Sequence, residues 1–243
     1  MNKFLHHEQC PKCAVRGGDR RGNNLGVWSD GARYCFACGF QVRPTYRSTQ
    51  LNNLIGEKDD KAKAVLPSDF SREIPGEAWQ WLLQYNIPMS HWKTYCGYSE
   101  KDKRLIFTVG SPTRFSIGRA INPTVGASKW KVYGDKSSYV EVVNEQVSGQ
   151  VVLVEDLISA HKIGLAGFTA IPLFGTSIGD IHIKKLQALK RPVTLWLDRD
   201  QYTYLNKKMG RLQALLEAPV GYVSTRLDPK CLSTTDIQKE LND

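Results

Sequence analysis

The stretch "VTLWLDRDQ", Val193 to Gln201, decides how the second half of this chain is read. Four of its first five residues are apolar, a run of buried-strand length that ends at once in Asp198 and Asp200 with Arg199 between them. A chain with a net charge of +9 thus drives an apolar strand straight into two carboxylates. The same form recurs on either side. "VVLVE" (151–155) ends at Glu155 and is followed by Asp156, and "VGYVST" (220–225) is followed closely by Asp228. "TAIPLF" (169–174) is a further short apolar run. Between these lie segments of helical periodicity: "LISAHKIGLAG", closed by Gly167, then "IGDIHIKKLQALK", and then "YLNKKMGRLQALLEA". "STTDIQKELN" reads as a closing helix with a Ser/Thr start.

Short apolar strands alternating with helices predict an α/β fold with a mostly parallel sheet covered on both faces. Ligands of such a sheet bind beyond the carboxyl ends of its strands. Three of the four predicted strands deliver acids to that edge: Glu155 and Asp156, Asp198 and Asp200, and Asp228. Hard oxygen ligands gathered on one edge suit Mg²⁺ or Mn²⁺, which neutralise phosphate charge during transfer.

The chain upstream has a different rhythm. Within 67–149, "IPGEAWQWLLQYNIPMSHWKTY" predicts two short helices broken at Pro88, and "RLIFTV", "RFSIGRAI" and "SYVEVV" predict strands of an antiparallel sheet. Residues 45–66 are polar with weak periodicity and read as a linker. Residues 1–44 form a Cys- and Gly-rich module too small to bury a core of its own. The expected division is therefore 1–44, 45–66, 67–149 and 150–243.

The first module carries Cys10-x2-Cys13 and Cys35-x2-Cys38, two knuckles that can close a tetrahedron of thiolates on one structural Zn²⁺. Their 21-residue separation is slightly longer than usual, and the extra length falls in the basic stretch "AVRGGDRRGNNLG". Trp28, Tyr34, Phe36 and Phe40, interleaved with Arg20, Arg21 and Arg33, offer stacking faces and phosphate contacts to a nucleic acid.

Charge is unevenly spread. Residues 1–50 hold eight Lys/Arg against three acids and 101–140 hold eight against two, while 51–100 are net negative. Two basic zones point to a polyanionic partner. No apolar run approaches membrane-spanning length and no signal-like core opens the chain. A cytoplasmic protein without membrane contact is expected.

A glutamate ending the first strand, a D-x-D ending a later one and alternating β/α units resemble the Toprim domain of bacterial-type primases, topoisomerases, recombination mediators and some nucleases. "RLIFTVGSPTRFSIGRAINPTVGASKWKVYGDKS" is similar to the basic subdomain that precedes Toprim in bacterial and phage primases, and "CPKC…YCFAC" matches their zinc ribbon. The resemblance covers nearly the whole chain and is nearest to the primase half of short-tailed-phage primase–helicases. It implies a DNA primase, a DNA-directed RNA polymerase making short RNA primers by metal-dependent nucleotidyl transfer during (phage) DNA replication. By that resemblance Glu155, Asp198 and Asp200 are catalytic, and Asp156 and Asp228 join them around two Mg²⁺ or Mn²⁺ ions. Arg119, Lys129 and Lys131, with Arg104 and Lys136 as weaker candidates, bind ribonucleoside triphosphates or the single-stranded DNA template. No G-x-x-x-x-G-K-[ST] motif occurs, so a replicative helicase is expected in trans. Two departures stand out. Ser159 occupies a position that is acidic in the phage proteins, and Asp156 one that is glycine in many relatives. The rival expectations are a Toprim nuclease and a non-catalytic DNA-binding recombination mediator.

Overall fold

The computed structural model describes residues 3–43, 65–123, 126 and 128–242. They fall into two compact units, one of 3–43 together with 142–242 and one of 65–141. The expected linker, 45–66, lies almost wholly outside the described residues.

The first unit begins with an antiparallel sheet in the order β1 (Phe4–Glu8), β2 (Leu25–Trp28), β3 (Arg33–Cys35) and β4 (Gln41–Val42). A short helix, α1 (Pro11–Val15), follows β1. Pro11 suits this start, because its ring presets a helical φ and its missing N–H would have had no partner there.

The second unit holds α2 (Gly76–Leu83) and α3 (Met89–Tyr95), interrupted at Pro88 as expected. Next comes an antiparallel sheet in chain order: β5 (Cys96–Ser99), β6 (Arg104–Val109), β7 (Phe115–Ala120) and β8 (Trp130–Gly134). Trp92, Phe107, Phe115, Leu82 and Ile87 are buried and fill this unit's core. One expectation is corrected here. The fourth strand is Trp130–Gly134 and not "SYVEVV", which the structure leaves outside regular strands. Asp135 turns the chain away after β8 by accepting the N–H and O–H of Ser137. Glu141 then accepts the N–H of Gly110 at 2.9 Å.

The chain returns to the first unit with β9 (Val151–Val154), β10 (Thr169–Pro172), β11 (Val193–Leu195) and β12 (Val220–Tyr222). Their order is β10-β9-β11-β12 and every pairing is parallel. All four residues of β9 are buried, as befits a strand covered on both faces, which is why it reads as an unbroken apolar run. Helices α4 (Leu157–Leu165), α5 (Asp180–Leu189), α6 (Tyr202–Leu215) and α7 (Thr234–Asn242) connect and close the sheet. Gly167, at φ +95°, lets the chain leave α4 in a left-handed turn that a side chain would strain. Ser233 caps α7 through the N–H of Asp236 at 3.0 Å. The fold is thus the expected mixed α/β one: a four-cysteine ribbon, an antiparallel α+β segment, and a parallel sheet flanked by helices.

The ribbon is packed on α6. Phe4 lies edge-on to Trp28, and Phe36 edge-on to Tyr34. A Cβ added to Gly210 of α6 would fall 2.7 Å from Phe36 Cε1 and 3.0 Å from Tyr34 Cδ1, so only glycine permits this approach. The Lys207 ammonium stands 4.5 Å from the centre of the Phe4 ring. Arg211 pairs with Asp30 at 2.9 Å, with both side chains over nine-tenths buried. Of the rings expected as stacking faces, Tyr34 and Phe36 lie against this helix and Trp28 is buried against Phe4, while Phe36 stays 39% exposed.

Candidate metal centres and acidic site

The two knuckles bring Cys10, Cys13, Cys35 and Cys38 together, with all four sulfurs within 4.8 Å of one another. Cys10 Sγ to Cys38 Sγ and Cys13 Sγ to Cys35 Sγ are both 3.6 Å. Zn–S bonds of about 2.3 Å in a tetrahedron place sulfurs roughly 3.8 Å apart, so this cluster fits one structural zinc ion. Asp19 explains the long basic loop between the knuckles. Its carboxylate accepts the N–H groups of Cys10 (2.6 Å), Asn23 (2.9 Å) and Asn24 (3.2 Å), tying the loop to the first ligand. Burial pushes the Asp19 carboxyl up, but these backbone donors hold it below the usual range. His7 lies edge-on to Phe4, with ring centres 4.9 Å apart, and belongs to the aromatic packing.

The acids gather at the carboxyl edge of the parallel sheet. Glu155 directly follows β9, and Asp198 lies just past the end of neighbouring β11. Because those strands pair in parallel, the two acids come together: Glu155 Oε1 accepts the backbone N–H of Asp198 at 3.1 Å. Asp200 sits in the 3-10 turn Arg199–Gln201 that leads into α6.

Asp156 and Asp228 are used differently. Asp156 is the N-cap of α4, accepting the N–H of Ile158 at 2.9 Å and of Ser159 at 3.0 Å. The Ser159 hydroxyl donates to the same carboxylate at 2.9 Å, so Ser159 is a partner of Asp156. Asp228 directly precedes the 3-10 turn Pro229–Cys231 without a side-chain cap bond to it, and Lys230 of that turn reaches both acids, 2.7 Å from Asp228 Oδ2 and 3.0 Å from Asp156 Oδ2. Burial alone would lower the Lys230 ammonium's pKa; Asp156 and Asp228 outweigh it and hold the pKa well above the ordinary lysine range. The Cys231 thiol is pushed up, first by burial and then, against Lys230, by the charges of Asp228, Asp156 and Asp198. Lys230 was not singled out from the sequence; its signal was a cation two residues after an acid already marked.

The basic candidates all belong to the second unit. Arg119, on β7, holds its guanidinium 5.2 Å from the Trp81 ring centre and 5.1 Å from that of Trp130, and its Nε is buried without a hydrogen-bond partner. Arg104 donates to the carbonyls of Gly118, Ser128 and Lys129 and so fastens the loop before β8. Lys131 pairs with Asp102 at 2.7 Å, and the Tyr133 hydroxyl donates to the same carboxylate. Lys129 and Lys136 are exposed.

No protein-family model matches the chain, and no curated protein does. Solved structures do. The zinc-binding and RNA polymerase domains of the Aquifex aeolicus primase match with a TM-score of 0.58 at 14% identity, over 99% of this chain and 78% of that one. A DNA primase domain from Pseudomonas aeruginosa matches at TM-score 0.41 and 18% identity, over 54% of this chain and 46% of that one. A DnaG primase catalytic domain bound to single-stranded DNA matches at 0.46 and 14%, over 69% and 59%. The described residues have the fold of the zinc-binding and RNA polymerase domains of a bacterial primase.

Proposed function

We propose that the chain is a DNA primase, a nucleotidyltransferase that joins ribonucleotides into a short RNA primer on single-stranded DNA. One observation carries the reading: Glu155 and Asp198 meet at the carboxyl ends of adjacent parallel strands, in a unit that also contains a four-cysteine ribbon. The likeness of fold to the Aquifex primase domains supports it.

Glu155, Asp198 and Asp200 would hold a divalent ion; when bound, Mg²⁺ or Mn²⁺ supplies charge neutralisation at the transferred phosphate and acidifies the attacking 3′-hydroxyl. The protein's part is positioning. The Asp198 N–H fixes the orientation of the Glu155 carboxylate before substrate arrives. Arg119, with the Trp81 and Trp130 indoles beside it, presents a planar fork suited to bidentate contact with a triphosphate. Lys129, Lys131, Arg104 and Lys136 would add charge toward nucleotide or template. In the ribbon the exposed Arg20 and Arg21 would meet template phosphate. The work belongs to DNA replication, of a phage in a host cytoplasm, with the replicative helicase supplied by another chain. Among the described residues no helix is long and apolar enough to cross a membrane.

The test is incubation with labelled ribonucleotides, Mg²⁺ or Mn²⁺ and short single-stranded templates. Alkali-labile oligomers are expected, lost in Glu155→Gln while DNA binding persists. DNA cleavage without ribonucleotides would make it a nuclease, and binding without any product a mediator.

A further inference from the structure

Lys230 lies on a turn that packs against α4, the helix capped by Asp156. Its ammonium bridges Asp156 and Asp228, with side-chain exposures of 20%, 21% and 33% respectively. A carboxylate offers about four lone-pair sites. On Asp156 four donors take them: the N–H of Ile158 and of Ser159, the Ser159 hydroxyl and Lys230. A divalent ion seated on Asp156 would have to strip a helix cap and displace an ammonium. These residues do not fit a second metal, whereas Glu155, one residue before the cap, turns its carboxylate to the backbone N–H of Asp198.

We propose that Lys230 is a built-in cation of this site that withholds Asp156 and Asp228 from divalent metal, so that the chain seats one such ion, at Glu155 and Asp198. The inference rests on reading that edge as the centre of nucleotidyl transfer. An ammonium is a compact point charge with three donors, able to neutralise phosphate but offering no site for a bound hydroxide.

The deciding measurement is the number of Mn²⁺ ions bound per zinc-loaded full-length chain, counted by electron paramagnetic resonance and calorimetric titration. Wild type should bind one ion, lost in Glu155→Gln and retained in Asp228→Asn. Lys230→Met should bind two, and adding Asp156→Asn should return the count to one. Two ions on wild type, none, or a single ion lost in Asp228→Asn would overturn the proposal. If Lys230→Met does not fold, the comparison of Glu155→Gln with Asp228→Asn decides alone. A wild type that binds one ion in this pattern yet makes no primer keeps the Lys230 assignment and removes the polymerase reading.

Discussion

Replacing Asp30 by Asn tests whether the ribbon and α6 form one cooperative structure. Asp30 and Arg211 are 2.9 Å apart, with side-chain exposures of 7% and 9%. Removing one partner of a buried pair strands the other charge and costs about 3–5 kcal/mol. Arg211 has a second partner, Asp180, but at 3.4 Å and with that carboxylate 54% exposed. An exposed partner returns at most about 1 kcal/mol. Asp30→Asn should therefore cost about 3 kcal/mol, near the low end. Arg211→Met leaves a buried carboxylate that accepts the Ala32 N–H at 3.1 Å, and should cost about 4 kcal/mol. The double variant removes both charges, so its cost should fall short of the sum, with a coupling of about 2–3 kcal/mol. Urea unfolding followed in parallel by tryptophan emission and by zinc release reads both the cost and the cooperativity. Raising salt should change the coupling little, since a buried pair is poorly screened. Single substitutions costing under about 0.5 kcal/mol, the range of ordinary surface changes, would show that the ribbon is not held there.

Gly210→Ala sets two terms against each other. Helix propensity favours alanine by about 1 kcal/mol, while overpacking costs about 1–3. With a Cβ only 2.7 Å from Phe36 Cε1, the packing term should win, and hydrogen exchange should rise in β2 and β3 but not in α6; a full 1 kcal/mol gain would refute the packing. Trp130→Ala should cost about 1–2 kcal/mol, with Trp130→Phe recovering most of it, and should couple to Arg119→Ala in thermal unfolding; no coupling would mean that the indole does not hold the guanidinium. The Lys131 ammonium and then the Tyr133 hydroxyl hold the Asp102 carboxyl below its ordinary value of 3.8. A carboxylate whose pKa is depressed on folding adds stability above the unfolded value and loses it as the pH falls toward the folded one. Wild type should thus lose stability below about pH 4; Asp102→Asn should flatten that limb, and two parallel acid limbs would contradict the assignment.

The parallel sheet was legible because strands covered on both faces must be apolar throughout, and "VVLVE" and "VTLWLD" could be little else. The helix ends were legible for the same kind of local reason: Gly167 and Ser233 do chemistry that few other residues can do there. What depends on a distant neighbour was not legible. The strand Trp130–Gly134 is an edge strand with Trp130 and Val132 exposed, so it lacks the apolar signature that "SYVEVV" displays without being a strand. Nothing in the spacing of Tyr34 and Phe36 says that Gly210, far along the chain, will lie against them.

The acids show where reading by residue type stops. Glu155 and Asp156 are adjacent, and both close an apolar strand before a helix. Backbone geometry divides them, because the residue immediately before a helix has its carboxylate aimed at the helix's first N–H groups. Asp156 occupies that place and collects the N–H of Ile158 and Ser159, while Glu155, one residue earlier, turns to the neighbouring strand and meets Asp198. A carboxylate already accepting a helix's donors has given up lone pairs that a metal requires. The useful question for an acid at such an edge is how many donors its own backbone has already assigned to it. For Asp156 two come from α4 alone, before the Ser159 hydroxyl and Lys230 are added.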